Sequence, residues 1–359
     1  MQPITVILTA AGSPGASTCI RHLRGVRERT VRVVGADANP EAIGRGLCDE
    51  FHLIPASTDA GYIDALIDLC ARTEADCLIP ASSYEVNIVA EARGRFASAA
   101  PDTRILVSDL AALEVANDKA KLYEAVAGDP DVRVPDFELV TDLDGFMAAH
   151  ARLSVGPDGG QRRLCFKPPY SKGSRGFRYL ADGMSRRDLL LNHKPDSKYM
   201  ALDEFQRIFT GDPDFPALLL MEVLEGEEID SMVIGDGAGE SLLITHKTRE
   251  KERGGVITQG EQVERPELDT AIKAIVRRIP LRYNFGIQFI GGALLEINPR
   301  LSTFMYTEDW VEPYFAIKLA LGEWTAGDLR AMQAKVPMGL RMVRYFEQHF
   351  WTREAAAAT

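Results

Sequence analysis

Short apolar runs, separated by stretches of helical periodicity, organise the first hundred positions of the chain. The runs at 4–9, 31–36, 51–55, 77–80 and 103–107 are nearly continuous rather than alternating, as in strands covered on both faces. Between them, 16–29, 61–74 and 85–97 read as helices, and Ile63, Leu66, Ile67 and Cys70 share one helix face. Alternation of strand and helix predicts an α/β domain over residues 1–110, built on a parallel sheet with helices on both sides.

The pattern changes after Asp109. A helix over 110–127 is interrupted by Asn117-Asp118-Lys119, and an extended stretch runs to Pro135. Residues 154–161, SVGPDGGQ, are loop by composition. A strand at 163–167 leads into a glycine loop, and 188–215 reads as helical around Pro195 and the loop GDPDFP. Strands follow at 218–223, 229–234 and 242–246, then a helix at 267–278 and a hairpin within 285–300. The alanine-rich C-terminal tail is expected to fray.

Composition removes several classes. No run approaches the roughly 20 apolar residues of a membrane helix. The opening MQPITVILTAAG has no cationic lead and runs into a glycine loop, so it reads as a first strand and not a signal peptide. Cys19, Cys48, Cys70, Cys77 and Cys165 are scattered and form no CxxC, which points to a reducing cytoplasm rather than a disulfide framework or thiolate metal site. A net charge of −11 argues against a nucleic-acid partner. Cations nonetheless gather locally, at Lys167, Lys172 and Arg175 and again at Lys247, Arg249, Lys251 and Arg253. A small anionic ligand accounts for such clusters, with solvated surface charge as the alternative.

Four segments carry candidate chemistry. In FGIQFIGGALLEINPR (285–300), strand alternation puts Glu296 and Asn298 on one face and turns Ile297 the other way. With Gln288 on the facing strand, they make an all-oxygen set suited to Mg²⁺; a plain hairpin with a wet polar face is the alternative. In CFKPPYSKGSRGF (165–177), a strand ending in Lys167 enters a loop of glycines, hydroxyls and cations able to meet phosphate oxygens, although it lacks P-loop order. In LLMEVLEGEEID (219–230), a strand runs into an acidic linker where main chain could meet a base and Glu228 a ribose. Lys119, at a helix start where the dipole disfavours a cation, hints at a nearby anion. Glu85, following Ser82, could meet an amino group or cap its helix.

Together these segments resemble the ATP-grasp superfamily over nearly the whole chain, most closely its carbamoyl-phosphate-synthase-like, stand-alone carboxylate–amine ligases. The resemblance implies a Rossmann-like pre-ATP-grasp domain at 1–110 and an ATP-grasp fold of two α+β subdomains at 111–330. The lid subdomain would lie at about 131–222, with an extension at 331–359. It implies that Lys119 and Lys167 touch ATP phosphates and that Ser171, Gly173, Ser174 and Gly176 belong to a phosphate lid. Main chain at Glu222, Val223 and Leu224 would hold adenine, and Glu228 the ribose. Gln288, Glu296 and Asn298 would bind two Mg²⁺ ions, with Mn²⁺ able to substitute. Arg300 would face the transferred phosphate, and Lys247 and Arg249 would form a basic segment before the metal strands. The implied activity joins a carboxylate, such as an amino acid, to an amine through an acyl phosphate, releasing ADP and phosphate, in a cytoplasmic protein that could be a homodimer, with no membrane or nucleic-acid partner.

Two features depart from the family pattern: the hairpin between Gln288 and Glu296 is short, and 194–216 is long. A two-residue Gly291-Gly292 turn would oppose Gln288 to Leu295. A three-residue loop would oppose it to Glu296, about 5 Å away on the same face. The apolar pattern of Phe289, Leu295 and Ile297 favours the three-residue loop. Two other readings compete. A catalytically silent ATP-grasp-like nucleotide-binding protein would keep the same ligands. An NAD(P)-dependent oxidoreductase would use the loop 12–17 and Asp37, although G-x-x-G is looser than the dinucleotide fingerprint.

Overall fold

A computed structural model describes residues 1–171, 175–181, 185–192, 198–253, 256–302 and 305–351. The chain packs into two compact units. The first comprises Met1–Asn117, Glu228–Phe289 and Glu296–Thr359; the second comprises Asp118–Glu227 with Ile290–Leu295.

In the first unit, β1 (Ile4–Thr9), β2 (Val31–Asp37), β3 (Glu50–Leu53), β4 (Cys77–Ile79) and β5 (Arg104–Ile105) form an all-parallel sheet. Its order is β3-β2-β1-β4-β5. This is the predicted α/β domain. Val6 and Leu8 are sealed in a core that also takes in Cys19, Ile20 and Leu23 of the helix Ala16–Arg24. The same core includes Trp310, Phe315, Ile317 and Leu329 from the far end of the chain. The helix Glu312–Ala320 was not evident in the sequence, because most of its residues are buried and it shows no polar stripe.

The second unit contains β6 (Phe137–Val140), β7 (Leu164–Lys167), β8 (Arg178–Leu180), β9 (Tyr199–Met200) and β10 (Leu218–Glu222). They form a mixed sheet ordered β6-β10-β7-β8-β9. Phe146, Phe166 and Phe205 fill its core, with Phe146 stacked on Phe205 at 4.0 Å. The break predicted near Asn117 is real: one helix ends at Asn117 and another begins at Lys119. Asp118 between them is extended, and its carboxylate caps the new helix through Ala120 N and Lys121 N at 3.0 and 3.2 Å.

A third sheet has seven strands. β11 (Glu228–Asp236), β12 (Ser241–Thr248), β13 (Lys251–Arg253), β14 (Val256–Val263), β15 (Arg282–Ile290) and β16 (Ala293–Asn298) run in the order β13-β14-β12-β11-β15-β16, and β17 (Arg341–Val343) pairs with β14.

The β15–β16 hairpin corrects one expectation. β15 ends at Ile290 and β16 begins at Ala293, leaving a two-residue loop. Gly291 and Gly292 both have positive φ, 55° and 80°, as a type I′ turn requires. Counting back from that closure sets Gln288 against Leu295, not Glu296. The burial pattern along β16 shows why periodicity misled: Leu295 and Glu296 are both half-buried, so strict alternation fails there.

Candidate active site

In the first unit, polar side chains from β11, β12, β15 and β16 gather at one place. Glu228 and Asp230 are two apart on β11 and so share a face. Asp230 stands opposite Lys247 in register, which brings β12 cations to the same face. Arg249 is almost wholly buried. Its Nε lies 2.5 Å from Glu228, its Nη1 3.7 Å from Asp230 and its Nη2 3.0 Å from Glu252. Burial opposes the Arg249 charge, but Asp230, Glu228 and Glu252 outweigh it and raise its pKa. Burial raises the pKa of Glu228 as well; Arg249 lowers it, while Glu252, Asp230 and Glu296 add to the rise. Four like charges, Glu228, Asp230, Glu252 and Glu296, are thus held near one another in a partly dry setting.

Gln288 Nε2 donates to Asp230 at 3.4 Å, and Ser302 Oγ donates to the same carboxylate at 3.4 Å. The close fit depends on Gly286, where a Cβ would lie 2.0 Å from Ser302 Oγ. Asn298 Nδ2 donates to Glu296 at 3.3 Å, so the predicted carboxylate–carboxamide pair is on one face. After Pro299 the chain turns, Arg300 N donating to Asn298 O at 2.7 Å. Arg300 Nε then donates to Ser83 Oγ at 2.7 Å, and Nη1 to Leu301 O. Burial lowers the Arg300 pKa, against the opposite pull of Asp230, Glu296 and Glu85.

Among the described residues no three His, Cys, Asp or Glu side chains converge on a point that could hold a metal ion. A ligand set here therefore rests on the carboxamide of Asn298 beside Glu296, while Gln288, set against Leu295, faces the other way and leaves the expected set. That donor chemistry, all hard oxygen, fits Mg²⁺. The clustered carboxylates supply the negative potential.

Lys247 has a different post from the one expected. It is fully buried, and its Nζ spans both oxygens of an equally buried Glu312 at 2.9 and 2.8 Å. Thr245 Oγ1 and Trp310 Nε1 complete the Glu312 shell at 2.7 and 3.3 Å. With both groups fully buried, this is an internal ion pair rather than a substrate-facing cation, and its partner, 65 residues away in sequence, lay beyond local pattern.

The second unit holds the other expected residues. Lys119 is buried, with Nζ donating to Ser171 O at 3.2 Å and N donating to Pro169 O at 3.1 Å. Lys167 ends β7, also buried, and lies near enough to Cys165 to lower that thiol's pKa against the larger rise from burial. Gly176 has φ 75°, and a Cβ there would meet Pro168 Cδ at 2.7 Å. Gly173 and Ser174 lie outside the described residues, as do Lys172, Gly254 and Gly255. At the end of β10, Glu222 N donates to Asp136 O and Val223 N to Arg163 O. Leu224 N donates to no group among the described residues.

In the parallel-sheet domain, Asp37 accepts from Gly12 N and Asn39 N at 2.7 and 2.8 Å. It fixes the loop after β1 rather than standing open to a ribose. Glu85 is buried, accepting from Thr9 Oγ1 at 2.5 Å, Ser82 N at 2.7 Å and Tyr62 OH. Asp230, Ser302 and Ser83 were not singled out from the sequence. Only Asp230 had a legible signal, its i+2 spacing from Glu228.

Residues 214–342, spanning β10 to β17, match the family described as "ATP-grasp in the biosynthetic pathway with Ter operon". The chain belongs to the ATP-grasp superfamily. Residues 7–101 match "PylC-like, N-terminal domain". ATP-grasp proteins are generally ATP-dependent ligases. No curated protein matches the chain.

Solved structures share the fold at low identity. Biotin carboxylase from Campylobacter jejuni, in a β,γ-ATP complex, is 18% identical, with TM-score 0.62 over 91% of this chain and 73% of its own. The biotin carboxylase domain of Hydrogenobacter thermophilus 2-oxoglutarate carboxylase, with MgADP, ADP and bicarbonate, is 18% identical, with TM-score 0.60 over 89% and 70%. N5-carboxyaminoimidazole synthetase from Staphylococcus aureus, with ADP, is 12% identical, with TM-score 0.58 over 88% and 77%. No helix among the described residues is long and apolar enough to cross a membrane.

Proposed function

We propose that this ATP-grasp protein is a Mg²⁺-dependent ligase that joins a carboxylate, such as an amino acid, to an amine. The reading rests above all on Glu296 and Asn298, paired on one face of β16 within electrostatic reach of Arg300. The substrate carboxylate attacks the γ-phosphoryl of ATP, giving ADP and an acyl phosphate, which the amine then opens with loss of phosphate. Bound Mg²⁺, held by Glu296 and Asn298, would neutralise phosphate charge. Arg300, fixed by Ser83 and the Leu301 carbonyl, presents a desolvated cation to the transferring group. Arg249 holds Glu228 and Asp230 in place, and Glu228 is the ribose partner. Lys119 and Lys167 bind phosphate oxygens, and the Leu224 N–H is a donor suited to adenine. Because no protein nucleophile takes part, the rate comes from positioning and electrostatics.

ADP release measured with MgATP and a panel of amino acids, singly and in pairs, tests the reading. Release should require an acid and an amine together. Release indifferent to both, or none with any pair, would overturn it.

A further inference from the structure

A cavity of about 930 Å³ lies in the first unit, bounded by the loop after β1, the helix Ala16–Arg24, β13, β14 and the C-terminal segment 340–349. None of the residues assigned above to nucleotide or metal lines it. The segment after β17 closes one side without regular structure. It is seated closely: Arg344 N donates to Thr258 O at 2.8 Å, and a Cβ on Gly46 would lie 2.2 Å from His349 Nε2.

The charge of the wall is uneven. Arg21, Arg253, Arg341 and Arg344 line it, against Glu347 as the one acid among its described lining residues. Arg21 is paired with Glu347, and Arg341 with Glu250 and Glu261. Arg253 is exposed and lies over the ring of Phe346. Arg344 differs from all three. It is half-buried, Nη1 donates to the Pro14 carbonyl at 2.7 Å, and among the described residues Nε is enclosed without a partner and no carboxylate pairs with the guanidinium. A guanidinium drawn out of water without a counter-charge is costly unless an anion meets it. Burial depresses its pKa, as expected for a cation lacking that partner. The remaining wall includes Ile43, Leu47 and Met305, apolar surface that a bare inorganic ion would leave unused.

We propose that this cavity binds a small organic acid, its carboxylate on Arg344 and its aliphatic or aromatic body against Ile43, Leu47 and Met305. The planar guanidinium suits a carboxylate bidentately. The site stands apart from the ligase reading, since its argument uses none of the metal or phosphate residues.

Calorimetry on the full chain with 4-methylpentanoate and phenylacetate, and with their primary amides, tests it. The acids should bind saturably and the amides about tenfold or more weaker, the range for a lost charge-assisted hydrogen bond. Arg344→Gln should weaken the acids by a similar factor and leave the amides unchanged. Met305→Trp, which fills the cavity without altering charge, should abolish binding of both. MgATP binding, measured in parallel, should be unaffected by either variant, so loss of ATP-dependent chemistry would not be mistaken for failure here. Acids and amides of equal affinity, no saturable binding by either acid at millimolar concentration, or unchanged acid binding in both variants would overturn the assignment.

Discussion

Replacing Lys247 by Met should be among the most damaging single substitutions in this chain, although the side chain touches no proposed ligand. Lys247 and Glu312 are both fully buried, 2.8 Å apart at closest. At an effective dielectric near 20, charges at that spacing attract by about 6 kcal/mol. Desolvating the two ions costs several kcal/mol each, so the intact pair adds little net stability. Removing one partner is different, because Glu312 would remain charged in the core with Thr245 and Trp310 as its side-chain donors among the described residues. That change costs about 3–5 kcal/mol, or a fall in Tm of about 6–20 °C at roughly 2–4 °C per kcal/mol. Lys247→Met with Glu312→Leu removes both charges at once, and replacing a buried ion pair by apolar side chains of similar volume is often neutral or stabilising. The double variant should therefore be more stable than the single one. Urea unfolding followed by tryptophan fluorescence is suited to the measurement, since the Trp310 indole N–H donates to Glu312 itself. A loss below about 1 kcal/mol for Lys247→Met, or a double variant weaker than the single, would refute the reasoning.

Glu296→Gln and Asn298→Ala should each cut ADP release by about a hundredfold or more while leaving the urea midpoint near wild type, as both side chains are only half-buried; near-normal turnover at saturating Mg²⁺ would remove them from the metal site. Burial raises the Glu85 pKa above its ordinary 4.5, only partly offset by hydrogen bonds from Thr9, Tyr62, Ser82 and Ala81. Its contribution to stability is therefore greatest below the unfolded pKa and is lost as pH rises through the folded one, so Glu85→Gln should flatten the decline of the urea midpoint above pH 4.5; an unchanged slope would show that Glu85 titrates normally. Gly291→Ala places a Cβ 2.1 Å from Glu225 O at positive φ and should destabilise by about 2 kcal/mol or more, whereas Gly292→Ala meets open space and should cost only about 1 kcal/mol; equal losses would mean the turn relaxes.

The sequence was most informative where one local rule decides the structure. Continuous apolar runs located β1 and β2, and Asn117-Asp118-Lys119 marked the helix break because an Asp cap is a matter of three residues. The Glu296–Asn298 pair followed from strand periodicity alone. Failures came where distant partners intervene. Lys247 looked like a ligand-facing cation until Glu312 was brought to it. The Ser83 anchor of Arg300, 217 residues away, was likewise beyond any local rule, whatever role the arginine itself takes. The hairpin loop was misjudged for another reason: two adjacent glycines satisfy both a two-residue and a three-residue closure, and the half-buried Leu295 gave a false face.

The first unit is assembled from both ends of the chain, with Met1–Asn117 sharing a core with residues after 300. On the ribosome, β1 and β2 emerge early, yet Trp310, Phe315 and Leu329, which cover part of that core, come last. At about 5–20 residues per second, residues 118–295 take roughly 10–40 s to synthesise. For that interval the newly made parallel sheet carries uncovered apolar surface, while the intervening second unit has most of its own sequence and a separate core with which to fold. Nascent-chain aggregation and chaperone dependence should thus concentrate in the amino-terminal domain, and a truncation before residue 300 should be insoluble even though it retains every strand of that sheet.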